Sequence, residues 1–201
     1  MFFNVFRVVS LLAFVVWSSV LSADTSHPGG LVPVVNEEIY PVIAQVAGQE
    51  GVLAYQYVRE GEDFKNWTRS VTYSNYRLER VGDSPAELAS LLVKTLDSQT
   101  PGAKYKLMSD KEGNVVLLDY LSWPAGKKFM QLNVHRIQKG EEGNGVYMLT
   151  YAVRLKYIEE ANEKSAKEIN LLRASLLKQA GSFNFDGMID LLNNQHKASA
   201  E

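Results

Sequence analysis

The chain has 201 residues, 21 Lys and Arg against 23 Asp and Glu, a formal net charge of −2, three histidines and no cysteine. This near-neutral balance, with basic residues dispersed and Lys127-Lys128 the longest run, gives no electrostatic footprint for nucleic acid or an anionic membrane surface. Without cysteine there are neither disulfides nor thiol chemistry, so stability has to come from apolar burial and hydrogen bonding.

The first 23 residues have the pattern of a secretory signal peptide. A short n-region ends at Arg7, and an uncharged run from Val8 to Ala23 follows, with the apolar centre VVSLLAFVVW and small residues at Ser18, Ser19, Ser22 and Ala23. The run is too short for a spanning helix. Cleavage is expected after Ser22 or after Ala23, the alternative being an uncleaved anchor, and the product is expected to be periplasmic or secreted with no membrane span. Residues 24–36, which hold two prolines and two glycines, read as a flexible tether. Residues 37–194 then form a single domain, and residues 195–201 a disordered tail.

Within the domain, residues 37–47 (EEIYPVIAQVA) read as a short helix interrupted by Pro41, and Val52 to Arg59 as a β-branched and aromatic strand. Trp67 to Arg80 reads as a second strand. Ser84-Pro-Ala-Glu87 opens a helix with a Ser cap, Pro at the first helical position and Glu placed to bond back to the cap amide. Leu88, Leu91, Leu92, Thr95 and Leu96 share one stripe of it, and Thr100-Pro-Gly102 ends it. Two hairpins follow: Tyr105 to Ser109 with Val115 to Trp123, and Lys128 to Lys139 with Val146 to Tyr157. The last of these strands is apolar on both faces, as a central strand is. A long helix runs from Ile158 to Gly181, packing through Ala161, Ala166, Ile169, Leu172, Leu176 and Leu177, and a short amphipathic piece carries Phe183 to Leu192. The order β-β-α-β-β-β-β-α-α predicts an α+β fold, a mostly antiparallel sheet of about six strands packed with helices.

The strand from Trp67 carries a row of hydroxyls. Period-two alternation puts Trp67, Val71 and Tyr73 on one face and Thr68, Ser70, Thr72 and Ser74 on the other. Burying four unpartnered hydroxyls costs about 1–3 kcal/mol each, so a solvated face is expected, with a ligand-facing row as the alternative. Asn66-Trp67-Thr68 also fits the N-glycosylation pattern.

The run EGEDFKNWTRSVT, with Glu60, Trp67, Thr68, Val71 and Thr72, resembles a motif near the start of small uncharacterised exported bacterial proteins. In those proteins a tyrosine-bearing strand leads through a Glu-Gly turn into Trp-Thr and a second strand. The resemblance spans a small part of the chain and implies export and one α+β domain. It carries no catalytic residue. In element order alone the chain is similar to PsbP/Mog1-like sandwiches, which speaks to architecture and not to function.

Candidate chemistry is sparse. His27 falls in the tether and His196 in the tail; His135 alone lies in a predicted strand, where Gln131, Asn133 and His135 face one side and Met130, Leu132 and Val134 the other. No second His or Cys stands at ligand spacing, so neither metal nor cofactor is expected. The adjacent pairs Glu37-Glu38, Glu141-Glu142 and Glu159-Glu160 point apart and do not suit two-carboxylate chemistry. Asp119, in an apolar strand, needs a partner such as Arg154 or His135. No nucleophile elbow, phosphate-binding loop or dinucleotide fingerprint occurs. The acidic loop Gly140 to Gly145 would repel phosphate.

The expected function is therefore an exported, non-catalytic domain that binds a partner protein, an envelope component or a small apolar ligand. Its expected surface is Gln131, Asn133, His135, Thr68, Ser70 and Thr72, helped by ten tyrosines. The alternative is a periplasmic hydrolase using His135 with Asp119. The two readings part on whether those side chains converge.

Overall fold

A computed structural model describes residues 32–49, 51–141, 143–160 and 162–198. The expected signal peptide at 1–23, the expected tether up to residue 31 and residues 199–201 of the expected tail lie outside the described residues. Nine strands and three helices follow in chain order among the described residues. They are β1 (Val34–Val35), β2 (Glu38–Ile39), β3 (Val42–Gln49), β4 (Val52–Val58), β5 (Arg69–Tyr76) and α1 (Pro85–Gln99). Then come β6 (Tyr105–Ser109), β7 (Val115–Ser122), β8 (Phe129–Lys139), β9 (Val146–Lys156), α2 (Glu163–Ser182) and α3 (Asp186–Ala198). β1 and β2 form a small hairpin, and β3 to β9 form a seven-stranded sheet in the order β3-β4-β5-β9-β8-β7-β6, every neighbour antiparallel. The fold is α+β, as the element order predicts, with the doubly apolar strand β9 at the centre.

Helices cover both faces. α1 packs on β7 and β8 from one side, and α2 and α3 pack on the other, α2 against β7, β8 and β9 and α3 against β4 and β5. The larger core lies on the α2/α3 side and joins Tyr55, Tyr57, Val71, Tyr73, Leu132, Val134, Leu149 and Tyr151 of the sheet to Leu176, Ala180, Met188 and Leu192 of the helices. The α1 side holds two separate clusters. One sets Leu88, Leu92 and Leu96 of α1 against Val116, Leu118, Tyr120, Ile137 and Met148; the other is Val58, Trp67 and Ala152.

Local chemistry explains the element ends. Ser84 caps α1 by accepting from the Glu87 amide at 3.3 Å, with Pro85 next in the chain. The expected return bond from Glu87 is not made, because the Ser84 amide already donates to Val81 O. α2 begins at Glu163, later than the apolar pattern predicts, since Asn162 and Ser165 form a reciprocal capping box there. Its other end is held by Arg136 of β8, whose Nη1 donates to Ala180 O, Gly181 O and Phe183 O at 2.9–3.0 Å while the guanidinium lies over the Phe185 ring. A cation on these helix-terminal carbonyls satisfies them, Ala180 O already accepting weakly from Phe183 N at 3.4 Å, and opposes the negative end of the helix dipole.

Three expectations at the ends of the domain are corrected. Residues 37–47 are not helical: β2 and β3 run there, because Pro41 blocks a helix and the β-branched VIAQVAGQ run pairs with β4 instead. Residues 34–36, expected in the tether, are structured instead: Val34–Val35 pairs with Glu38–Ile39 about a turn at Asn36 and Glu37, both with positive φ. Asn36 Oδ1 accepts from Ser175 and Gln179 of α2, which pins this turn to the helix. Residues 195–198, expected in the tail, are helical, because α3 continues to Ala198.

Arg136→Ala leaves three helix-terminal carbonyls without their cation. It is expected to destabilise the fold by about 3 kcal/mol in denaturant unfolding. A loss below about 0.5 kcal/mol, the size of an ordinary surface change, would show that water replaces the guanidinium at no cost.

Candidate functional site

The register of the sheet decides which side chains share a face. Val58, Ser70, Ala152, Asn133 and Tyr120 are successive cross-strand partners from β4 to β7. Gln56, Thr72, Thr150, His135 and Leu118 form the next row, and Arg154, Gln131 and Ser122 the row on the other side. All of these point to the α1 side, because cross-strand partners share a face. The structure therefore brings Gln131, Asn133, His135, Ser70 and Thr72 together on one face, as a polar strip between the two apolar clusters. Thr68 stands apart: β5 begins at Arg69, and the Thr68 hydroxyl is held by Glu62 Oε1 and Arg59 Nη2 in the preceding loop.

The solvated-face expectation holds only in part: Thr68 is exposed and Thr72 half-buried, whereas Ser70 and Ser74 are buried. Trp67 precedes the ladder, so alternation does not hold it beside Val71 and Tyr73; it folds onto the α1 side over Val58 and Ala152. Arg154 stacks on its ring, with the guanidinium carbon 3.9 Å from the ring centre, and again on Phe129 at 4.7 Å, while donating to Lys65 O and Trp67 O. In the same part of the face Ser70 is 3% exposed, and Ser74 is fully buried with its hydroxyl donating to Met148 O. Asn66, in the glycosylation pattern, remains exposed.

His135 is sealed. It is 2% exposed, its Nδ1 lies 2.8 Å from Thr150 Oγ1, and its ring packs on Tyr120 with centroids 5.3 Å apart. Nε2 is buried with no hydrogen bond to the protein. Burial alone pulls the imidazole down from 6.5 to about 3, so it is neutral near pH 7. Asp119 is equally buried, at 1% exposure, but on the α2 side, since its cross-strand partner is Val134 and not His135. Its partner is neither Arg154 nor His135 but Arg173 of α2, whose Nε approaches Oδ1 to 2.6 Å as a close charge contact outside hydrogen-bond alignment. Burial pushes the Asp119 carboxyl up, and Arg173 and Lys106 pull it back. A one-residue difference in strand parity thus puts the two groups of the hydrolase reading on opposite sides of the sheet.

What the α1 side does offer is a shallow crevice between the C-terminal half of α1 and the ends of β7 and β8. Thr95, Gln99 and Thr100 line one wall, and Tyr120, Ser122, Trp123, Phe129, Gln131 and Asn133 the other. Gln131 Nε2 donates to Asn133 Oδ1 at 2.7 Å, and Asn133 Nδ2 reaches Gln131 O at 3.3 Å and Ser122 Oγ at 3.5 Å. The enclosed space is about 20 Å³, room for about one water, too small to engulf a ligand. Only Gln131 and Asn133 of the expected surface residues line it. The α1 wall and the Tyr120-Ser122-Trp123 wall escape sequence reading because their meeting depends on which strand α1 crosses. Among the described residues no group of three or more His, Cys, Asp or Glu side chains is placed to hold a metal ion.

The expected phosphate-repelling loop has a different role. Asp83 reaches the β8–β9 turn and accepts from Gly145 N at 2.9 Å and Gly143 N at 3.3 Å, so backbone amides there hold an internal carboxylate. Gly145, at φ +72°, admits no side chain, because a Cβ would collide with the Tyr76 carbonyl.

A family model matches residues 35–185, from β1 to the residue before α3, and so spans the whole sheet and both crevice walls. The chain belongs to that uncharacterised family. No curated protein matches the sequence.

The buried neutral imidazole predicts a pH dependence with a definite sign. Unfolded His135 binds a proton below pH 6.5 while the folded residue resists it, so its contribution is complete above pH 6.5 and is lost as pH falls toward about 3, at up to ~1.4 kcal/mol per pH unit. Asp119, with its carboxyl pushed up, contributes in the opposite sense as pH falls. Comparing the slope of stability against pH between the wild type and His135→Gln isolates the histidine: the variant is expected to lose much of the fall between pH 6.5 and 4. Equal slopes would mean that the imidazole protonates without unfolding.

Proposed function

We propose that this protein is an exported, non-catalytic binding domain that recognises a partner protein or an envelope component through the α1-side crevice. The observation that carries the reading is the crevice itself, in which exposed Gln99 and half-buried Ser122, Trp123, Phe129 and Gln131 stand over buried Tyr120 and Asn133, beside a sheet whose acid and base groups are sealed apart. Aromatic side chains of this kind supply contact area at low entropic cost, and amides give direction. A small apolar ligand fits less well, because the shallow space cannot surround it. The hydrolase alternative lacks support from the geometry, since His135 has neither a carboxylate partner nor an accessible nitrogen. Export rests on the N-terminal pattern of residues 1–23.

Two measurements check this reading. A photo-crosslinking amino acid replacing exposed Gln99 at the crevice is expected to capture an envelope component in cells, whereas one replacing exposed Lys178 on α2 is not. Equal capture from both positions, or none from Gln99, would contradict the proposed face. N-terminal sequencing of the native protein is expected to begin at Ala23 or Asp24, and a chain still beginning at Met1 in the cytosol would overturn the assignment to the exported class.

A further inference from the structure

We infer that the ligand laid against the crevice is an uncharged oligosaccharide. The inference rests on the crevice being the binding face proposed above, and it adds the chemical class. None of the crevice-lining residues is Asp, Glu, Lys, Arg or His. The guanidinium next to the lining, Arg154, is stacked on Trp67 and Phe129 and donates to Lys65 O and Trp67 O, so a charged group pressed against these walls loses hydration and meets no uncommitted counter-charge; phosphate, carboxylate and ammonium ligands are disfavoured. A purely apolar ligand is disfavoured for the reciprocal reason: it would cover polar groups and leave them unsatisfied.

The polar lining is divided: Thr95 donates to Leu91 O at 2.8 Å and Gln131 to Asn133 at 2.7 Å, while other groups are uncommitted. The side chains of Gln99, Thr100 and Trp123 make no hydrogen bond to the described residues, and the Asn133 to Ser122 contact, at 3.5 Å, is at the limit of hydrogen bonding. Side-chain amides and hydroxyls both donate and accept, and the ligand group that matches this is another hydroxyl or amide that does the same. The half-buried Trp123 ring supplies an apolar face beside these groups, next to Phe129, which Arg154 stacks on, and the buried Tyr120. A sugar ring presents C–H faces to aromatic planes and a rim of hydroxyls to amides, which matches a wall built of both. The small enclosed space suits a chain of rings lying across the surface with its ends in water.

The test is nuclear magnetic resonance of the protein expressed from the full chain, following the side-chain amides of Gln99, Gln131 and Asn133 and the Trp123 indole N–H. The probes are triacetylchitotriose and maltotriose as neutral sugars, trigalacturonate as a charged sugar and oligoproline as a peptide. Saturable shifts at those groups with at least one neutral sugar are expected, with trigalacturonate at least about tenfold weaker. Trp123→Ala and Gln99→Ala, both at the rim, should each weaken the neutral sugar about tenfold, the size of effect seen at interface hot spots. If Trp123→Ala fails to fold, the exposed Gln99 variant still decides the matter. Trigalacturonate binding as tightly as the neutral sugars would overturn the inference, as would shifts with oligoproline alone. Silence from every sugar while the Gln99 crosslink persists would overturn the sugar but keep the binding face. Silence together with loss of the crosslink would remove both.

Discussion

The parity of the strands governs this molecule. In an antiparallel sheet covered on both faces, shifting one strand by a single residue exchanges its buried and opposing side chains. Here the β7–β8 register, with Leu118 opposite His135 and Asp119 opposite Val134, sends the imidazole to the α1 side and the carboxylate to the α2 side. Everything chemical follows from that separation. The carboxylate is neutralised by a helix, the imidazole is kept uncharged by burial, and neither is presented to a substrate.

The same parity concentrates uncharged polar groups on the α1 side. Ser70, Thr72, Thr150, Asn133 and Gln131 interrupt what would otherwise be one continuous apolar face, and α1 covers only the part over β7 and β8. Charges, by contrast, are used as ties. Arg136 closes the end of α2, Arg173 meets Asp119, Arg154 stacks between Trp67 and Phe129, and Asp83 anchors the β8–β9 turn. With no cysteine available, these contacts hold in place the elements that the apolar cores bring together. The crevice is left as a surface of amides, hydroxyls and rings without a charge of its own.

Much of the fold is legible in the sequence because it is locally encoded. The Ser84-Pro85 start of α1, the glycine turns of the two hairpins and the two-sided apolar pattern of β9 are all local statements, and each agrees with the structure. What misleads is short or long-range. Residues 37–47 alternate too briefly to separate helix from strand, and only pairing with β4 decides. The burial of Ser70 and Ser74 depends on cover from other parts of the chain and on a carbonyl of β9. Grouping Gln131, Asn133 and His135 on one face was within reach of period-two reasoning. That α1 would wall in the first two and leave His135 sealed beside Tyr120 was not, because a helix crossing a sheet leaves no mark in either segment. The partner of Asp119 lies in a distant helix, so nearby Arg154 and His135 drew attention in place of Arg173.

The face assignment of His135 and Asp119 is the claim beneath the rest, and nuclear Overhauser contacts in the folded protein test it most directly. The imidazole ring protons should show contacts to the Tyr120 ring and the Thr150 side chain, and the Asp119 β-protons to the Arg173 side chain. Contacts between the His135 ring and either Asp119 or Arg173 would put both groups on one face and contradict this account.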